Sequence, residues 1–508
     1  MKNIKLLISV LFLFTVSVLM SCKGFLDVDP YGKADADLYY STEEEVGLAL
    51  IAAYDMVHSD QLNGWSSAVF IKQLPSDGTN CGGGGASDQP QYQDLDDFNW
   101  STENAGIKAY YQVNFYGIYR CNQIINKTTV EGSALVDRMI AEAKFLRAYF
   151  FFELNVAFGG VPLRLQAPET VTEGMARSTP DEVYAQIEAD LADAIAGLPN
   201  KSEYSQADKF RASKQSAQAL LGKAHLYQKD YSAAINVFED IIAVEGTEVD
   251  LEADFAELFK ASTEFGIESL FEASFVSEGK NWGNANWDRV ADDNRHIQLQ
   301  GPRGPFDGGT SGILAGWGFN APTQKLYDAF EDTDPRRLMT IISTQELEDI
   351  YGGSFIDGHD TESMIRTKLT TYASETNGDN GNTPELNFGT NWKLIRYADV
   401  LLMAAEAYHF NGADGTALDL VNQVRMRSGA SELTGITGDA LFDLIVNERQ
   451  VELAYEGHRF WDLVRWGLAD DELSSLGFIS GKHELFPIPL DEILNNPEMD
   501  ASSQNPGY

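Results

Sequence analysis

RASKQSAQALLGKAHLYQKDYSAAINVFEDIIA, residues 211–243, is the stretch whose reading decides the fold. Within it Ala217, Leu220, Leu221, Ala224 and Tyr227 recur at i, i+3, i+4, i+7 and i+10. That spacing marks one face of an α-helix. After Lys229-Asp230 a second set follows: Tyr231, Ala234, Ile235, Phe238, Ile241 and Ile242. Two amphipathic runs joined by a short turn predict an antiparallel helix pair, with small residues at the crossing. A second pair is predicted near the C-terminus, from Leu394 to Asn411 and from Thr416 to Met426, with Ala398, Leu401, Leu402, Ala405 and Tyr408 as its stripe. Further helices are expected from about Gly106 to Asn126 and from Ala134 to Phe158. Another begins near Glu43, where Ser41 or Thr42 can cap it and Glu43 to Glu45 suit the positive end of the helix dipole.

Such repeated pairs resemble tetratricopeptide repeats. The expected class is therefore mostly α, a tetratricopeptide-like helical-pair scaffold. Its middle, residues 245–390, differs in composition. It is rich in Gly, Asn, Asp and aromatics, as in Trp282-Gly283-Asn284-Ala285-Asn286-Trp287, Gly301-Pro302-Arg303-Gly304-Pro305 and Gly316-Trp317-Gly318. That composition predicts loops and short strands carried on the helical frame as a ligand-binding face. Residues 75–105 read as one long loop, and loops of that length in a compact fold are usually functional or mobile.

The chain has 508 residues and a formal net charge of −40. A field of that sign repels phosphate backbones and argues against nucleic-acid binding. The N-terminus carries Lys2 and Lys5, then an apolar run from Leu6 to Met20 that is too short for a membrane span and sits where a signal peptide sits. It ends in Leu19-Met20-Ser21-Cys22, which resembles a bacterial lipoprotein box. That resemblance implies cleavage after residue 21 and acylation of Cys22, with acyl chains that anchor the protein to a membrane. The expected organisation is a signal peptide over 1–21, a lipidated tether over 22–42, an N-terminal helical region over 43–244, a loop-rich insert over 245–390 and a C-terminal helical region over 391–508. Cys81 and Cys121 are too few for a disulfide framework, and free thiols and one bridge both fit.

No catalytic signature is present. His483-Glu484 begins a zinc-protease motif, but Pro487 stands where its second histidine belongs. There is no G-x-S-x-G elbow and no phosphate loop. The expectation is a binding protein and not an enzyme, with no cofactor and no transition-metal site. Calcium is the one metal kept in view, in the Asp/Asn/Gly-rich loops at 94–97, 357–360 and 377–382. The positive signal is aromatic. Trp65, Trp100, Trp282, Trp287 and Trp317 lie among loop-forming neighbours. An indole face can stack on a pyranose ring while nearby amides, carboxylates and guanidinium groups bond its hydroxyls. The candidate glycan-binding residues are Asp77, Asn80, Trp100, Trp282, Asn284, Asn286, Trp287, Arg289 and Trp317. Trp461 and Trp466 fall on a helical pattern with Phe460 and Leu463 and read as core.

The stretch Trp392 to Ala407 resembles the helix by which the SusD/RagB family is recognised. So do Asn447-Glu448-Arg449, Glu452-Leu453, Glu456 to Leu463 and Arg465-Trp466. The ending is also similar, with Pro487-Ile488-Pro489, Glu492-Ile493, Asn496-Pro497 and Gln504 to Tyr508; Asp334 to Arg337 and Tyr116 to Asn122 are further matches. Read as residues alone, Glu448, Arg449, Glu452, Glu456 and Arg459 on adjacent turns predict a buried or half-buried charge network holding helices in register. What the resemblance implies is a lipoprotein on the outer-membrane surface that captures an oligosaccharide, or in some relatives a peptide. It would deliver that ligand to a SusC-like TonB-dependent transporter, without catalysis.

Overall fold

The Thr42 hydroxyl accepts the Glu45 amide (3.2 Å), and helix α1, Glu43–Leu62, starts there as the capping residues predict. A computed structural model describes residues 39–62, 68–166, 173–277, 279–283, 293–378 and 381–508. The signal segment, Cys22 and the tether lie outside the described residues.

Next come α2, Ala105–Lys127, capped by Asn104, and α3, Ala134–Phe158, capped by Ser133. Helix α4, Pro180–Gly197, is absent from the sequence reading although Thr179 and Glu182 close a full capping box on it. The deciding stretch forms α5, Lys214–Tyr227, and α6, Tyr231–Ile242. The C-terminal pair is α7, Tyr397–Phe410, and α8, Asp414–Arg427, followed by α9, Asp439–Glu452. Each of α2 to α5 packs on the next, α6 packs on both α5 and α7, and α7 packs on α8 and α9. The two helix pairs read from the sequence thus join one continuous stack with one main apolar core. No described helix is long and apolar enough to cross a membrane.

Gly222 sets the α5–α6 crossing. A Cβ there would lie 2.3 Å from the ring of Phe238. Gly222→Ala would gain about 1 kcal/mol of helix propensity, but overpacking costs about 1–3 kcal/mol. The variant is expected to melt below the wild type, and a higher melting temperature would contradict this crossing.

The insert contributes short strands, as expected, in antiparallel pairs, and also several short helices that the loop-and-strand reading does not include. Strands β1 (Thr79–Gly82), β2 (Ser269–Ala273), β3 (Phe306–Asp307), β4 (Phe319–Pro322), β5 (Ile341–Ser343), β6 (Ser354–Phe355), β7 (Met364–Arg366) and β8 (Trp392–Arg396) pair as β1–β4, β2–β8, β3–β6 and β5–β7. Strand β8 corrects the reading of Leu394 to Asn411 as wholly helical. Residues 392–396 are extended and pair with β2, and the helix begins only at Tyr397. Strand β1 and the short helix Pro90–Asp96 likewise break up the stretch read as one loop over 75–105.

Buried charge fastens this layer to the helices. Arg336, Lys368, Arg396, Arg425 and Arg427 meet Glu268, Asp334, Glu448, Glu452 and Glu456 in paired contacts, with every side chain in the set essentially inaccessible. Burial alone would push the Glu452 carboxyl up; Arg427, Arg396 and Arg336 override it and hold it well below the usual carboxylate range. A second set, Lys223, Arg449 and Arg465 with Asp399, Glu406 and Asp462, ties α5, α7, α9 and the helix Arg459–Trp466 together. Opposite charges balance within each set, so the chain's large acidic excess lies outside them. Cys81 and Cys121 are buried and free.

Candidate functional site

The exposed face where the insert meets the loop after β1 is built around the glycine run 82–85 and one arginine of the insert. Gly82 has φ +68°, and a Cβ on it would stand 2.1 Å from the Gly318 carbonyl oxygen, so only glycine fits between β1 and β4. The Gly83 amide then donates to that same carbonyl (2.7 Å). The chain turns back at Gly84, whose amide donates to Asp88 Oδ2 (2.8 Å). The same carboxylate accepts Arg303 Nη1 (3.1 Å), and that nitrogen also reaches the Trp317 carbonyl (3.3 Å). Arg303 is exposed, so a guanidinium fixed by Asp88 stands over the glycine turn beside Trp317.

Trp317 is held by its backbone. Its amide donates to the Gln298 carbonyl (3.0 Å), while Gly316 and Gly318 donate to Pro302 (2.7 Å) and Gly301 (2.8 Å). The indole packs against the main core on one side and is half-exposed on the other. Gly301 and Gly316 must both be small, since a Cβ on Gly316 would lie 2.4 Å from the Gly301 Cα. A half-buried aromatic on a clamped backbone, with a fixed guanidinium on its carbonyl, has the mixture of apolar surface and polar donors that sugars require.

Trp282 lies on the same layer and is 55% exposed. Its segment is anchored through Lys280, whose amide donates to Asn387 Oδ1 (2.7 Å) and whose carbonyl accepts Asn387 Nδ2 (2.8 Å). The Lys280 ammonium meets Asp293 (3.4 Å) just before the short helix Arg295–Gln300, which carries Gln298 and so leads to Trp317. Asn80 sits at the rim and donates to Glu362 Oε1 (2.8 Å), holding the loop around residue 360 in place. Trp65, Asn284, Asn286, Trp287 and Arg289 lie outside the described residues.

Two candidates are taken up by the fold instead. Trp100 is only 4% exposed. Its Nε1 donates to the Leu95 carbonyl (3.1 Å), and its ring is enclosed by Phe98, Phe460, His483 and Phe486, so it plugs the core and offers no face to a ligand. Asp77 is buried in a bidentate pair with Arg459 (2.9 and 2.7 Å) and meets Lys325 (2.8 Å). Burial raises its carboxyl, but Arg459 and Lys325 outweigh that and lower it overall, as expected of a structural brace between distant segments. Trp461 is core as read, whereas Trp466 is half-buried. Arg303 and Asp88 were missed; the signal was the lone cation of Gly301-Pro302-Arg303-Gly304-Pro305 facing the four glycines at 82–85.

Among the described residues no group of three His, Cys, Asp or Glu side chains converges as a metal site. In the loop at 357–360, Asp357 is engaged by the Ser363 amide (3.1 Å) and by Thr361 Oγ1 (3.3 Å).

Beneath the glycine turn, Asp96 accepts the Cys81 amide (2.8 Å). Burial, with added repulsion from Asp360 and Asp97, pushes its carboxyl up to about 8 from an ordinary 3.8. Between those values the folded state holds a proton that the unfolded chain has released. Stability therefore falls as pH rises through that window. Asp96→Asn keeps an acceptor for Cys81 and removes the ionisation. Its urea midpoint is expected to gain more at pH 8 than at pH 5, and an equal shift at both would contradict the assignment.

Residues 268–477 match the SusD family, and residues 24–226 match a family described as starch-binding and associating with the outer membrane. Among solved structures, a laminarin binding SusD-like protein is 32% identical, with a TM-score of 0.84 over 92% of this chain and 100% of that one. Surface glycan-binding protein A from Bacteroides fluxus is 28% identical, with a TM-score of 0.78 over the same shares. SusD-like protein P2 of Formosa agariphila is 26% identical over the full length of both chains. The shared helical stack, the 32% identity to a SusD-like protein covered over its whole length and the two family matches lead to one assignment: this chain belongs to the SusD family.

Proposed function

We propose that the chain captures an oligosaccharide on its loop face and passes it to a SusC-like TonB-dependent transporter, while acylated Cys22 anchors it at the outer-membrane surface. The observation that carries this reading is Trp317, clamped and half-open beside the fixed Arg303 guanidinium. The laminarin binding relative supports the ligand class. Binding without catalysis is part of the proposal. A glycosidase needs two carboxyl groups facing each other across the scissile bond. Here Asp88 is engaged by Arg303 and Gly84, and Glu362 by Asn80 and the Gln324 amide (2.7 Å).

The test is isothermal titration of the pure protein against a glycan panel that includes laminarin, with product analysis on the same mixtures. Saturable binding of at least one glycan, without shortened products, is expected. Binding of peptides alone would replace the ligand, and glycan cleavage at enzyme-like turnover would overturn the binding-only reading.

A further inference from the structure

A wide cavity lies away from the loop face. It is a groove of about 590 Å³ between one side of α2 and the C-terminal segment Pro489–Asn496, closed at one end by Arg164. It shares no residue with the cluster of Asp88, Arg303 and Trp317. Its helical wall is an aromatic stripe: Phe115, Tyr116 and Tyr119 lie on one face of α2, with Tyr111 one turn earlier. Such a stripe normally packs against a neighbouring element. Here Tyr116 is 45% and Tyr119 49% exposed. Tyr111 is buried in the groove floor next to Phe115, and its hydroxyl has no hydrogen-bond partner among the described residues. Burial pushes that hydroxyl up, and Glu492 pushes it the same way, so the group is a neutral donor.

The opposite wall is polar. Glu492 accepts Asn496 Nδ2 (2.8 Å), and Asp491 is bridged to Lys108. Tyrosine faces on one side, with amides and carboxylates on the other and an unsatisfied hydroxyl below, suit a hydroxyl-rich neutral ligand. The carboxylates of this wall disfavour an anionic one, and the aromatic wall wants flat apolar faces that a pyranose supplies.

We infer that this groove is a second oligosaccharide-binding site, which takes another stretch of the glycan held on the loop face. The inference rests on the glycan reading of the proposed function. Two sites on one polymer raise retention through effective concentration, without any new contact at either.

The test uses Tyr119→Ala, Tyr119→Trp and Trp317→Ala in the full chain, titrated with laminarihexaose and run through laminarin affinity gels. The wild type is expected to bind two laminarihexaose molecules, and Tyr119→Ala and Trp317→Ala one each. Laminarin retention should fall on the order of 10- to 100-fold in either variant. Tyr119→Trp, which keeps an aromatic face, should restore two-site binding. A single laminarihexaose per wild-type chain, with affinity unchanged in Tyr119→Ala, overturns the second site and leaves the loop face standing. Binding lost in Tyr119→Ala but intact in Trp317→Ala upholds the groove and removes the loop face. No binding by any of the four proteins overturns both.

Discussion

Arg396→Ala is expected to destabilise the protein by about 3–5 kcal/mol, the loss typical of breaking a buried ion pair from one side. Arg396 ends β8 at the start of α7, where all five guanidinium N–H groups have acceptors. Nε and Nη2 reach Glu456 (2.7 and 2.8 Å), Nη1 reaches Glu268 and Glu452 (2.7 Å each), and Nη2 also reaches the Glu452 carbonyl (2.8 Å). Alanine would strip one cation from three buried carboxylates at once. Lysine cannot reproduce the planar fork, so Arg396→Lys should fall between alanine and wild type. Guanidinium unfolding at neutral pH measures it. Since a whole domain is held by only about 5–15 kcal/mol, Glu268→Gln provides a milder companion, which keeps the volume and removes one charge. Losses below about 1 kcal/mol for Arg396→Ala would show that the network does not hold the insert to the helices.

Replacing Trp282 or Trp317 with alanine is expected to weaken glycan binding about 10- to 100-fold, or about 1.4–2.8 kcal/mol. Stability separates the two. Trp282 is mostly exposed, so its loss should change unfolding by no more than about 0.5 kcal/mol. Trp317 packs on the core with part of its ring, and its alanine variant should also lose about 1–3 kcal/mol. Trp100→Ala gives the opposite pattern: about 3–5 kcal/mol of stability lost, with affinity per folded molecule retained. Titration and chemical unfolding of the same three proteins read both quantities. Full affinity in Trp282→Ala and Trp317→Ala would remove the loop face from consideration.

The helical stack was legible because its signals are local. In α5 and α6 the apolar period and the caps at Ser213 and Asp230 fall within a few residues of each other. Helix α4 was missed although its capping box is equally local. Strand β8 was misread for a physical reason: a short apolar run does not distinguish strand from helix, and its state is set by pairing with β2, more than a hundred residues upstream.

The site was less legible because exposure depends on distant segments. Trp100 and Trp317 both sit among loop-forming residues, yet Phe460, His483 and Phe486 close over the first. Asp77 looked available until Arg459 was brought to it from 382 positions away. The charge network was readable in outline, since Glu448, Arg449, Glu452 and Glu456 recur at helical spacing. The partners of the three glutamates, Arg336, Arg396 and Arg427, come from other elements that no spacing rule connects.

The most direct test of the central claim is a crystal structure of the protein with laminarihexaose bound. A sugar ring stacked on the open face of Trp317, with a hydroxyl within hydrogen-bond distance of Arg303, is the predicted result. A bound oligosaccharide that leaves Trp317, Trp282 and Arg303 untouched would contradict it.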